Sequence, residues 1–451
     1  MENNYTKIKE KKEIFAVLDI GTTKIVYLVS EKIGNEFKIL GYAEVSSVGM
    51  RRGEIVNVSE TTKKIKSVIS EVEEKLDIIP QEVVVGIAGF NLETKIISES
   101  LSLNPDKPID KDIIEKLENE IKLAASDPDV NELLDYFPKD FIIRDINGRE
   151  ESVLSPVGLF GKKIIGNYHI ILVKKTIKKH IESCILSSGK KIKSYILEPL
   201  ASAESTLNDV EKEVGVIMID IGGGTSDLIV FKDKKIVYTV VNPIGSVDIS
   251  VSLKKIFSIS ELEAEKLKIK YGSCWLEKVK DKNQIITIGS EDEQIQKSKI
   301  RIEDLVINIA STVSEKIIKP LLGSMKKVNI SLIDYKNIVI TGGGAQLRDL
   351  KDLISYLTGL NARLGHINDE YDVGGIKIVI EKELKKPKYA TLIGMLIYSL
   401  KKNMDVLYQY KKREISVKED DKEVSENDKK IKKSFFGKMK EGLLGIIEDI
   451  N

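Results

Sequence analysis

Apolar positions set the frame of this chain. IFAVLDIGTTKIVYLVSEK (14–32) runs as a buried strand, Asp19, a Gly/Thr turn and a second strand, which is the pattern of a hairpin. VIMIDIGGGTSDLIVFKDKKIVYTVV (216–241) repeats that order, with Asp220 in the matching place. Two copies roughly two hundred residues apart point to duplicated α/β halves and not to a short solenoid repeat. Between them, 61–78 and 174–189 have helical periodicity, 83–90 reads as a strand, and 110–125 reads as a helix after the breaker-rich NPDKP. Further on, 260–272 predicts a helix stopped by Gly272, and 301–327 predicts one long helix bent at Pro320. Residues 337–359 read as strand, glycine turn and helix, and KPKYATLIGMLIYSL (386–400) closes the globular part.

Composition narrows the class. With 451 residues the chain is too long for one core, and roughly two to four domains are expected. Charged residues make up 31 %, yet they balance to +1, which argues against a general nucleic-acid binder. Cys184 and Cys274 form no CxxC pattern, so neither a disulfide framework nor a cysteine zinc site is expected. The polar N-terminus lacks a signal-peptide core, and no apolar run is long enough to span a bilayer. Three histidines without HExxH, and no GxxxxGK[ST], leave metalloprotease and Walker-type chemistry without support.

Each hairpin places an aspartate beside a glycine-bearing turn. Backbone amides of Gly21, Thr22 and Thr23 on one side, and of Gly222, Gly223, Gly224 and Thr225 on the other, could converge on an anion. Asp19 and Asp220 would face the same phosphates through Mg2+, an ion that favours carboxylate and water. A single hairpin of this kind is as well read as a plain turn; the matched pair reads as a clamp. TGGGAQL (341–347) follows a strand and opens a helix, so its amides could meet a phosphate or the nucleoside. It lacks the third glycine of a dinucleotide fingerprint. Lys24 either reaches the phosphates or points outward from its strand. Glu265 and Lys268, three apart, share one helical face, which suits either a ligand contact or a solvated ion pair.

Together these motifs resemble the actin–Hsp70–sugar-kinase superfold, a ribonuclease H-like duplicated α/β fold. Within it they are similar to the FtsA family of bacterial cell-division proteins, through DIGTTKI (19–25), SVGMRRGEIVN (47–57), DIGGGTSDL (220–228), AEKLKIKYG (264–272), TGGGAQL (341–347) and PKYATLIGMLIYSL (387–400). The glycine motifs are common to the superfold, so SVGMRRGEIVN and the tail discriminate. The resemblance implies ATP and Mg2+ as ligands, with Glu265 and Lys268 on the nucleoside and Gly342, Gly343 and Gly344 against adenosine and α-phosphate. It also implies that Glu198 orients the attacking water, the other reading being a helix-start acid beside Pro199. Turnover would be weak at most, with nucleotide acting mainly as a conformational and polymerisation switch.

The resemblance further implies a subdomain plan: 1A over 12–80 and 173–212, an inserted 1C (SHS2) module over 81–172, 2A over 213–260 and 330–376, 2B over 261–329, and a return to 1A over 377–403. A charged linker (404–432) and an amphipathic helix (433–451) complete it. Implied partners are the C-terminal peptide of FtsZ on 2B, other copies of the chain in a filament, and later division proteins on 1C. The implied location is the cytoplasmic face of the cell membrane at the septum.

The tail carries its own signal. Phe435, Phe436, Met439, Leu443, Ile446, Ile447 and Ile450 fall on one face of a helix spanning about 120°. Lys432, Lys433, Lys438 and Lys440 fringe it, as in an interfacial helix on an anionic bilayer; docking on protein is the alternative. One such tail would bind weakly, and a filament carrying many would bind firmly by effective concentration. Two rivals remain: a pilus-assembly adaptor resembling PilM, and a small-molecule kinase of the same superfold.

Overall fold

The computed structural model describes residues 12–89, 92–125, 130–288 and 298–402. The charged segment expected over 404–432 and the amphipathic helix expected over 433–451 lie outside the described residues. Two sheets carry the body. In the first, seven strands lie in the order Lys191–Leu197, Glu82–Ile87, Lys12–Ile20, Lys24–Ile33, Glu36–Ser46, Ile376–Val379 and Glu370–Val373. In the second, five lie in the order Lys235–Asn242, Ser226–Lys232, Val216–Ile221, Asn337–Thr341 and Asn361–Leu364.

The two sheets have one plan. Each starts from a three-stranded antiparallel meander whose first strand pairs in parallel with a fourth, and the fourth with a fifth. The repeated hairpin grammar is thus the visible part of a duplicated sheet, and the fold is the actin-like duplicated α/β fold. The central parallel strands are near-continuous apolar runs because both their faces are covered. Glu82–Ile87 shows this, being buried from Val83 onward.

That strand corrects a boundary. VVVGI pairs with Lys12–Ile20 in the first sheet, so it does not belong to the module expected over 81–172. The module itself is a four-stranded antiparallel sheet, Leu92–Ser102, Lys163–Lys174, Asn131–Arg144 and Glu150–Val153 in that order, with helix Lys111–Ala125 packed on it. Ile109, Leu117, Ile121, Phe141, Ile164 and Tyr168 form its core. The return to the first lobe also precedes residue 377, because Glu370–Val373 already pairs with Ile376–Val379, which joins Glu36–Ser46.

The module leans on the second lobe as well. Ile171 packs with Met218, Ile229, Phe231 and Ile236. Along the edge strand Lys235–Asn242, Lys235 Nζ donates to the Lys139 and Leu154 carbonyls at 3.2 and 2.8 Å. The Thr94 hydroxyl donates to the Thr239 carbonyl at 3.1 Å, and His169 Nε2 lies 2.9 Å from Thr239 Oγ1. An edge that would otherwise offer unpaired backbone is thereby covered.

Residues 302–327 run as one continuous helical segment, as expected, but its irregularity is a π-helical turn, Val313–Ile318, set between Ile302–Thr312 and Lys319–Lys327. Proline removes the N–H that would bond the carbonyl four residues back. That carbonyl belongs to Lys316, and Asn242 Nδ2 donates to it at 2.8 Å. The distortion therefore lies ahead of the proline, where the ladder is short of a donor. Among the described residues no helix is long and apolar enough to cross a membrane.

Candidate functional site

The two hairpins close with the same turn. Gly21 N–H donates to the Lys24 carbonyl at 2.9 Å, and Gly222 N–H donates to the Thr225 carbonyl at 2.9 Å. Those two amides are therefore spent on the turns, which removes Gly21 and Gly222 from the amides expected to converge on an anion. The tips meet: a side chain on Gly223 would run into Thr23, with a Cβ 2.4 Å from Thr23 Cγ2. Helix Ser246–Phe257 backs the second turn, its Ser246 and Val247 amides donating to the Gly222 and Gly223 carbonyls at 2.9 Å. The SVGMRRGEIVN loop backs the first, where Gly53 N–H donates to Thr22 Oγ1 at 2.9 Å.

Behind the tips lies a cleft of about 300 Å³ lined by both turns, with Asp19, Lys24, Glu198, Asp220, Asp227 and Lys388 among its walls. Strand register explains the pairing of acids. Asp19 and Asp220 are the penultimate residues of equivalent strands, and Asp227 is the cross-strand partner of Asp220. Lys24 points inward: its Nζ lies 2.6 Å from Asp19 Oδ2, so the outward-strand reading is wrong. Lys388 Nζ instead pairs with Glu44 at 2.8 Å.

Asp220 is held on all sides. Its Oδ2 accepts from Ser202 Oγ at 2.5 Å, and Thr391 Oγ1 stands 3.5 Å away. On the other side Gly342, at φ +88°, passes so close that a Cβ would lie 2.1 Å from Asp220 Oδ1. The third glycine motif is thus fixed by the second aspartate. Gly343–Gln346 forms a 3-10 turn, and the α-helix begins only at Leu350. TGGGAQL therefore opens a 3-10 turn and not the α-helix expected there, with Gly342 and Gly344 committed to close approach against Asp220 and Ile221.

Water-poor surroundings raise the pKa of three of these acids, Asp220, Glu198 and Asp227. Burial chiefly raises Asp220, to about 6, with the Asp19 charge adding and Ser202 and Lys24 opposing. Burial, then the charges of Asp19, Asp227 and Asp220, pushes Glu198 well above the usual carboxylate range. Asp227 is raised by burial and by Asp220, and its Oδ1 is buried without a hydrogen-bond partner. Four carboxyls facing essentially one lysine make a site short of positive charge, and a buried acid without a partner is costly. Among the described residues no three such groups stand close enough to cage a metal. Mg2+ is suited to such a place, since it keeps waters and shares its coordination with phosphate oxygens.

A second cavity of about 290 Å³ adjoins the first, sharing Ser246, Gly343 and Gln346 with it. Glu265, Lys268, Ile269, Gly344 and Arg348 line it. The Glu265–Lys268 pair is half solvated, with the Glu265 side chain 39% exposed. Lys268 is buried, with Nζ 2.8 Å from Glu265 Oε2 and 2.8 Å from the Ser246 carbonyl, and burial lowers its pKa. Of the residues expected on the nucleoside side, Gly343, Gly344, Glu265 and Lys268 line this cavity and Gly342 lines the first; Arg348, whose guanidinium donates to the Gly272 carbonyl at 2.9 Å, was not anticipated. Sequence reasoning also missed Asp227, Ser202, Gly53 and Thr391. Asp227 had a legible signal, an acid inside the apolar run SDLIVF directly opposite Asp220 in a two-sided hairpin.

Similarity to known proteins agrees with this geometry. The family model for cell division protein FtsA matches residues 217–394. Cell division protein FtsA of Pseudomonas aeruginosa is 27% identical over 389 residues, which covers 86% of this chain and 89% of that protein. The one from Neisseria meningitidis is 28% identical over 393 residues, covering 86% and 91%. Among solved structures, the PilM-PilN type IV pilus biogenesis complex has a TM-score of 0.59 at 14% identity, over 86% of this chain and 98% of that one. Duplicated sheets around one acidic, glycine-rimmed cleft define an actin-like fold. Within that fold the chain is similar to the FtsA cell-division proteins.

Proposed function

We propose that this chain binds Mg–ATP in the joined cavities and uses it to assemble into filaments that anchor FtsZ to the inner face of the cytoplasmic membrane at the septum. The observation that carries the reading is the pair Asp19 and Asp220, equivalent residues of duplicated hairpins that line one cleft. Bound Mg2+ would screen the phosphate charge. Asp19 and Asp220 would hold it through water, while the amides of Thr22, Thr23, Gly223, Gly224 and Thr225 face the phosphates. Glu198, at the start of helix Glu198–Thr206, would orient water for slow hydrolysis. Gly342, Gly343 and Gly344 would lie against the α-phosphate and adenosine, with Glu265 and Lys268 on the nucleoside.

Membrane attachment rests on the sequence pattern of the tail, from Phe435 to Ile450. FtsZ peptide would dock on the 261–329 region, and later division proteins on the inserted module. The likeness to the PilM-PilN complex bears on fold alone, and the relatives matched over most of their length carry cell-division names. Flotation with anionic vesicles tests the reading, comparing the whole chain with one ending at Tyr410, with and without Mg–ATP. Flotation that needs the tail and grows with ATP supports it. ATP binding without flotation of either form would hand the tail to protein docking and favour an adaptor. Phosphorylation of small acceptors would instead indicate a kinase.

A further inference from the structure

Two helices cross at the junction of the lobes: Glu198–Thr206, which leads out of the first lobe, and the helix over 390–402. Ser202 is fully buried at this crossing. Its Oγ lies 2.5 Å from Asp220 Oδ2 and 3.0 Å from Thr391 Oγ1, and Thr391 Oγ1 lies 3.5 Å from the same carboxylate oxygen. Ser205 Oγ donates to the Ala390 carbonyl at 2.7 Å, tying the helices together one turn further on. Glu198 stands one helical turn before Ser202, so one helix carries both a cleft acid and the hydroxyl that grips Asp220.

We propose that Ser202, backed by Thr391, is a positioning residue that fixes the Asp220 carboxylate for cation binding and makes that binding depend on how the two crossing helices sit. The inference rests on reading the cleft as a Mg–nucleotide site. A hydroxyl donating to Oδ2 fixes the carboxylate plane, so that Oδ1, beside Gly342, is presented in one orientation. The Ser202–Asp220 contact joins helix Glu198–Thr206 to strand Val216–Ile221 of the second lobe, so its length follows how that helix sits against the strand.

The test uses the full-length chain and a fluorescent ATP analogue, titrated at increasing Mg2+. Ser202→Ala should raise the Mg2+ concentration for half-maximal binding about tenfold, the size expected on losing one hydrogen bond to a charged group. Affinity in EDTA should move far less, and Ser202→Thr should restore the Mg2+ dependence. Thr391→Val, which keeps the shape and loses the hydroxyl, should shift the Mg2+ requirement in the same direction by less. Thermal melting of each variant separates loss of fold from loss of cation binding. Equal losses of affinity with and without Mg2+, or an unchanged Mg2+ requirement in Ser202→Ala, overturn the inference while leaving the nucleotide site standing. A parent chain that binds no nucleotide at any Mg2+ concentration overturns the site reading and the inference together.

Discussion

Gly394 and Ala201 meet backbone to backbone: a Cβ on Gly394 would lie 1.6 Å from the Ala201 carbonyl oxygen. No rotamer relieves that contact, because both partners are main chain in packed helices. Gly394→Ala must therefore push apart the two helices that hold Asp220. Overpacking of this kind costs about 3 kcal/mol or more. Calorimetry should show a fall in Tm of several degrees with weakened nucleotide binding, and a melting temperature equal to the parent's would show that the helices are free to slide.

Lys24 is the basic group nearest the cleft acids, paired with Asp19 at 2.6 Å and only 17% exposed. Lys24→Met keeps the length of the side chain and removes its charge. ATP affinity should fall about tenfold, as expected when one charge-assisted contact is lost. Titration calorimetry reads this directly, and unchanged affinity would mean that Lys24 serves Asp19 alone.

His169 gives the fold an acid limit. Its pKa is pushed from 6.5 down to about 4, first by burial and then by the Lys139 charge, while it faces Thr239 across the module's contact with the second lobe. Between those pH values the unfolded chain binds the proton and the folded one does not, so stability falls as pH falls through this window. A shift of this size corresponds to about 3 kcal/mol between pH 6.5 and 4. Denaturant melts of the parent and His169→Gln at pH 7 and pH 4.5 should show a smaller acid loss in the variant; parallel losses would place the acid sensitivity elsewhere.

Asn242 and Pro320 should be energetically coupled. The Asn242 amide donates to the Lys316 carbonyl, which the proline leaves without its helical partner. Asn242→Ala should cost about 1 kcal/mol. In a Pro320→Ala background an alanine N–H can reclaim the carbonyl, and the same change should cost much less. A double-mutant cycle by urea denaturation measures the difference. Additive effects would show that the π-turn has another cause.

The pattern of apolar residues was enough to expose both hairpins, and with them the places of Asp19 and Asp220. Buried strands ending in an acid and a glycine turn are local features, set by the chemistry of neighbouring residues. Glu198 was reachable only through resemblance, since a helix-start acid beside proline is ordinary. Lys24 could not be decided either way, because the alternation that marks a strand's faces is lost where both faces are buried, as they are over Val26–Ser30. VVVGI misled for a related reason: a fully buried parallel strand carries no mark of which sheet it joins.

The sequence by itself determined the repeated hairpins, the helix over 260–272 and the lysine-fringed tail pattern. In each, the residues that interact lie within a few positions of one another, so their spacing holds the information. Only the tertiary structure decided that Gly21 and Gly222 spend their amides on turns, that Asp227 keeps a buried oxygen unpaired, and that Ser202, Thr391 and Gly342 converge on Asp220. Thr391 and Asp220 lie 171 positions apart along the chain. Contacts at that separation are products of sheet pairing and helix crossing, which no local window of side chains encodes.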